Sequence, residues 1–137
     1  FDIAWKHPQV FGAVGVFSGS FWWRSDSSSM QAIQDSRIMH RVVRQSGQRP
    51  ALRMWFEAGT LDETEDRDGN GVIAAIQDTT ELMDELAAKG YVAGKDMVYV
   101  QVEGGEHNPA TWARVLPQFL VWAFAPEKPS GIRLDHT

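Results

Sequence analysis

The sequence contains no cysteine. That excludes disulfides, thiolate metal ligands and a cysteine nucleophile, and it leaves the compartment open because exported proteins can also lack cysteine. No apolar run approaches the roughly 18 residues that a membrane-spanning helix requires. Phe1 to Gln9 lacks the basic-then-apolar layout of a signal peptide. The segment reads as soluble, with periplasm or exterior slightly favoured over cytoplasm. Positive charge is also scarce: 13 Lys and Arg against 18 Asp and Glu leave a net charge of −5. Because the basic residues form no stripe that could follow phosphates, neither nucleic acid nor a membrane is an expected partner. Internal repeats and low-complexity segments are missing as well.

What is present suffices for one modest domain. The 137 residues are 43% apolar and include six Trp and seven Phe, enough to fill a core. Strand signals occur at Ala13 to Ser18, Ala51 to Ala58 and Met97 to Val102, each with glycine one or two residues beyond it. Helical patterns lie between and after them, at Met30 to Arg44, Ile76 to Ala87 and Ala110 to Phe124. In the last of these, Trp112, Val115, Leu116, Phe119, Leu120 and Ala123 make one apolar stripe, and Pro117 should bend the helix. Phe1 to Pro8 reads as the last turns of another helix halted by proline. Strands alternating with helices predict β-α-β units and a parallel α/β sheet, incomplete at three strands. Residues 1–124 form the domain, and 125–137 read as a tail.

Reactive groups in open parallel sheets sit beyond the carboxyl ends of strands. After the second strand comes Ala58-Gly59-Thr60-Leu61-Asp62-Glu63; after the third comes Glu103-Gly104-Gly105-Glu106-His107-Asn108-Pro109. Asp62 and His107 thus stand in the order acid then base, which suits acyl transfer if a serine precedes both: histidine accepts the serine proton, and a carboxylate fixes its tautomer. No Gly-x-Ser-x-Gly occurs, and Phe17-Ser18-Gly19-Ser20 lacks both the preceding glycine and the following helix of a nucleophile elbow. The remaining histidines, His7, His40 and His136, have no comparable setting.

Four segments together resemble a known family: Lys6 to Gly12, Phe17-Ser18-Gly19-Ser20-Phe21-Trp22-Trp23, Ala58 to Glu63, and Gly104-Gly105-Glu106-His107 followed by Trp112, Leu116-Pro117 and Phe119-Leu120. They are similar to the α/β-hydrolase esterases that include enterochelin (ferric-siderophore) esterases, esterase D-like enzymes and secreted carbohydrate esterases. The resemblance implies the C-terminal part of an α/β-hydrolase fold, acting on a small-molecule carboxylic ester through an acyl-serine intermediate. It implies His107 as general base and Asp62 as its orienting acid, with Asp66 and Asp68 as rivals for that second role. It also places the nucleophilic serine a turn or two of helix before Phe1, so these residues alone should be inactive. Trp22 and Trp23 would lie at the substrate wall, although adjacent aromatics can equally be one core residue and one flap residue. Neither a metal nor an organic cofactor is required for this chemistry.

One further motif stands apart from that chemistry. Asp66-Arg67-Asp68-Gly69-Asn70-Gly71 matches the first half of a calcium loop, with oxygen-bearing side chains at positions 1, 3 and 5 and glycine at 6. Gln77 occupies position 12, where a bidentate carboxylate belongs, and Asp78 comes one residue late. The expectation is weak calcium binding by Asp66, Asp68 and Asn70 at most, against an acidic turn that caps the next helix. The alternative function is accordingly a non-catalytic binding or calcium-stabilised module on a hydrolase scaffold.

Overall fold

A computed structural model describes residues 1–125. The elements in chain order are α1 (Asp2–Lys6), β1 (Ala13–Phe17), α2 (Met30–Asp35), α3 (Ile38–Gln45), β2 (Arg53–Leu61), α4 (Ala74–Ala88), β3 (Met97–Glu106) and α5 (Pro109–Phe124). The three strands form one parallel sheet in the order β1-β2-β3, with the helices as crossovers, an incomplete α/β fold. Ala13 pairs with Arg53 and Phe17 with Glu57; Met54 pairs with Met97 and Gly59 with Val102. Beyond Gly59 the register slips, so that Leu61 lies opposite Glu106. That irregularity is at the carboxyl ends of β2 and β3, next to Asp62 and His107.

Strand β2 is buried without interruption from Met54 to Gly59, as expected for a central parallel strand covered on both faces. Met54 and Phe56 enter a core with Trp5, Phe21, Val43, Leu82, Leu86 and Tyr91. Trp55 turns the other way, into a smaller cluster with Val102, Val115, Phe119 and Trp122. Each large apolar side chain buried here contributes about 1.5–3 kcal/mol. Glu57 shares the face of Trp55 by strand alternation, and it is fully buried.

Helix limits follow local chemistry. The 30–44 segment, read above as one helix, is two, because the loop before it captures the backbone groups at Ser36 and Arg37. Ser36 Oγ accepts from Asp26 N and donates to Asp26 O, while Ser25 N donates to Ser36 O. Ile38 N donates to Trp23 O. Helix α4 ends before Gly90, whose φ of 96° suits glycine. Helix α5 starts where Asn108 Oδ1 accepts from Thr111 N, with Pro109 in the first turn. It continues through Pro117. The stripe read on α5 is turned relative to the sheet: Thr111 and Val115 are buried, whereas Leu116 and Leu120 are 42% and 43% exposed. Among the described residues no helix is long and apolar enough to cross a membrane. The tail expected from 125 onward lies, after Ala125, outside the described residues, as does His136.

Candidate active site

At the carboxyl ends of the strands, Ser18, Ser20, Trp22, Asp62, Glu63 and His107 line one small cleft of about 40 Å³. That is space for roughly one water molecule. The sheet brings these residues together because β1, β2 and β3 are adjacent and parallel, so Ser18, Asp62 and His107 each leave the sheet at the same end. Close approach of two backbones fixes the spacing of the last two. A Cβ on Gly59 would collide with the carbonyl of Gly105, and Gly104, at φ 68°, donates its N–H to Thr60 Oγ1 at 2.8 Å. Only glycine permits both features without strain.

Asp62 is held at two points. Its Oδ2 accepts from Gly59 N at 3.0 Å, and its Oδ1 accepts from Ser18 Oγ at 2.9 Å. A carboxylate has about four acceptor positions, so capacity remains for an imidazole N–H. Ser18 Oγ in turn accepts from Trp112 Nε1 at 2.9 Å. The Ser18 main-chain N–H donates to Glu57 O at 2.9 Å and to Glu57 Oε2 at 3.2 Å. Ser18 is also the only non-glycine residue among those described with a positive φ, at 48°, a conformation that costs an L-residue roughly 1–2 kcal/mol. Burial first, and the neighbouring Asp62 charge second, push the Glu57 carboxyl up to about 7. Its Oε1 has no hydrogen-bond partner among the described residues.

The strand end and left-handed backbone at Ser18 resemble a nucleophile elbow, but the hydroxyl does not behave as a nucleophile's would. It is buried, its proton goes to Asp62 instead of His107, and no helix follows it directly. His107 itself is exposed, and its ring meets the Trp112 ring edge-on at a centroid distance of 5.3 Å and an angle of 77°. No hydrogen bond joins His107 to Asp62 among the described residues; they share the cleft. His7 is also exposed, whereas His40 is buried with Nε2 against Asp78 O at 2.8 Å. Trp22 and Trp23 stack on each other at 5.2 Å and 18°, and at 44% and 59% exposure neither is a core residue. Trp22 reaches the cleft lining. Ser18, Glu57 and Trp112 escaped the sequence reading as members of this group. Glu57, a charge inside an otherwise apolar strand, carried a signal that could have flagged it, and Ser18 and Trp112 stood within the segments that resemble the family.

The rival carboxylates lie elsewhere. Asp66 accepts main-chain N–H bonds from Asn70 at 3.0 Å and Gly71 at 2.8 Å, and Asp68 accepts from Gln77 Nε2 at 2.5 Å. Asn70 Oδ1 accepts from Val72 N at 2.9 Å. Gln77 thus points its amide nitrogen toward Asp68 and also toward Glu81, the opposite of what a closing calcium ligand does. Asp78 is taken by two buried arginines, Arg37 at 2.7 Å and Arg67 at 2.5 Å. Among the described residues no group of three or more His, Cys, Asp or Glu is placed to hold a metal ion. The loop is also tied to the helix that follows it. Arg67 anchors it to α4, and Glu63 Oε1 accepts from Ala75 N in the first turn of that helix at 2.5 Å, which fixes the segment leaving Asp62.

No curated protein and no solved structure matches the chain. A family model described as Putative esterase matches residues 2–123, the stretch that contains the whole sheet, the cleft and nearly all of α5. The chain therefore belongs to that esterase family of hydrolases.

Proposed function

We propose that the chain supplies the acid and base of a carboxylic-ester hydrolase, with His107 as general base and Asp62 as the carboxylate that orients it. The observation that carries this reading is the shared cleft: Asp62 and His107 leave adjacent parallel strands at the same end and line one small cavity. Asp66 and Asp68 do not line it. The reading assigns the nucleophile to a serine outside these 137 residues, ahead of Phe1 by the family resemblance, since no Gly-x-Ser-x-Gly is present.

In the reaction, His107 accepts the serine proton as the serine oxygen bonds to the ester carbonyl carbon. It then gives that proton to the departing alcohol as the carbon–oxygen bond breaks. Water, deprotonated by the same imidazole, bonds to the acyl carbon, and the imidazolium returns the proton to the serine oxygen as that carbon–oxygen bond breaks. Asp62 favours the imidazolium formed in both halves and fixes which ring nitrogen faces the serine. The anchors on Asp62, Gly59 N–H and Ser18 O–H, keep the carboxylate in place while His107 changes charge. Trp22 at the cleft and Trp23 stacked on it offer flat apolar surface with polar indole N–H groups, which suits the aryl or sugar portion of a small ester.

The test is ester hydrolysis by the longer polypeptide that includes the serine. His107→Ala should lower kcat by about 10²–10⁴-fold, the usual value of general acid–base catalysis, with an unchanged circular dichroism spectrum. Asp62→Asn should also lower kcat, while Asp66→Asn and Asp68→Asn should not. A folded His107→Ala protein that turns over normally removes His107 from the reaction. Silence at Asp62 with loss at Asp66 or Asp68 transfers the acid's role to that residue.

A further inference from the structure

We propose that Ser18 and Trp112 are positioning residues: the chain of hydrogen bonds Trp112 Nε1–H to Ser18 Oγ–H to Asp62 Oδ1 holds Asp62 in the orientation that His107 needs. This inference rests on the proposed roles of Asp62 and His107, and goes beyond them by assigning a task to two residues that touch no reacting atom.

The geometry leaves Ser18 one arrangement. A hydroxyl has one proton, and the indole N–H of Trp112 can only donate, so Oγ must accept from Trp112 and send its proton onward. Asp62 Oδ1 at 2.9 Å is the near acceptor, against 3.5 Å to Glu57 Oε2. A charged acceptor makes the shorter bond also the stronger one. Glu57 acts on the main chain of Ser18 instead, accepting its N–H through both the peptide oxygen and the side chain. Those two bonds help keep Ser18 at its φ of 48°, and backbone strain of this kind persists only where the surroundings fix it. Trp112 has a second contact that makes the arrangement more than local. Its ring lies edge-on to His107, so one side chain touches the base and steers the acid through Ser18. The three residues come from the end of β1, the loop after β2 and the first turns of α5, and the relay is the direct side-chain link between these places.

The decisive experiment is a double-mutant cycle on ester hydrolysis, again in the longer polypeptide. Ser18→Gly deletes the hydroxyl and relieves the positive φ, so the fold is not put at risk. Trp112→Phe keeps an aromatic ring beside His107 and deletes the N–H together with the second ring. Each should lower kcat by about tenfold or more, up to the 10²-fold that a displaced catalytic group can cost, with little change in KM. With Asp62→Asn already present, Ser18→Gly should change kcat by less than about twofold, because the group it positions is gone. If Ser18→Gly and Trp112→Phe are silent while Asp62→Asn is not, the relay is wrong and the roles of Asp62 and His107 stand. If the losses from Ser18→Gly and Asp62→Asn simply multiply, Ser18 acts other than through Asp62 and the proposal fails. If Asp62→Asn is itself silent, the assignment of the acid fails and the relay falls with it.

Discussion

Glu57 is the residue whose chemistry departs furthest from its surroundings: a carboxyl fully buried in the central strand, beside a second carboxylate, with one oxygen unpartnered among the described residues. Water would have stabilised its charge, and burial with Asp62 nearby raises its pKa to about 7. The folded state therefore holds a proton on Glu57 that the unfolded state, with an ordinary value of 4.5, releases. Stability from this group is full below about 4.5 and is lost as pH rises through about 7. His40 slopes the other way. It is buried, chiefly desolvation lowers its pKa to about 4, and its contribution is lost as pH falls from about 6.5 toward 4. Glu57→Gln keeps an acceptor for the Ser18 N–H and removes the titration, so its melting temperature relative to the parent should rise between pH 5 and pH 8. His40 is common to both proteins, so it cancels in the comparison. A difference in melting temperature that stays flat across that range would show that Glu57 is ionised throughout.

At the scale of elements, the loop after β2 carries two readings of one acidic stretch, a weak calcium loop and an acidic turn. Asp66, Asp68 and Asn70 bear the right atoms for a calcium loop and accept bonds from main-chain N–H groups and from Gln77, while Arg67 runs from the middle of the motif into an ion pair with Asp78. A melting curve should be unmoved by micromolar calcium against chelator. Calcium at about 1 mM should add at most about 1.4 kcal/mol, as for sites with dissociation constants near 10⁻⁴–10⁻³ M. A large shift at micromolar metal would mean that the loop rearranges to gain further ligands. The same loop shows why some features were legible in the sequence and others were not. The existence of the strands, the helix from Ala74 to Ala88 and the start of α5 follow from local signals, apolar runs, Gly90, and Asn108 before Pro109, although β2 and β3 continue to Leu61 and Glu106, beyond the ends read at Ala58 and Val102. The break between α2 and α3 does not, because it depends on bonds from residues 23–26, several positions away. Nor does the outward turn of Leu116 and Leu120, which depends on how α5 meets the sheet. That Asp62 and His107 share a cleft was legible from their places after neighbouring strands. The partners Ser18, Glu57 and Trp112 come from three distant segments, and only the parallel sheet brings them together.

For the whole molecule, the sheet is the organising fact. Its central strand is buried on both faces, whereas β1, just as apolar, is only half-buried along its length and pairs on one side. Apolar parallel strands are ordinarily covered, in keeping with an incomplete α/β fold that a family model spans from residue 2 to 123. The account's central claim is that His107 activates a serine that these 137 residues do not contain. It is tested most directly by treating the longer polypeptide with a fluorophosphonate, which bonds covalently to an activated serine, and by mapping the adduct with mass spectrometry. The predicted result is a single adduct on a serine ahead of Phe1, formed far more slowly in His107→Ala. An adduct on Ser18 or Ser20, or labelling that proceeds equally fast without His107, would contradict it.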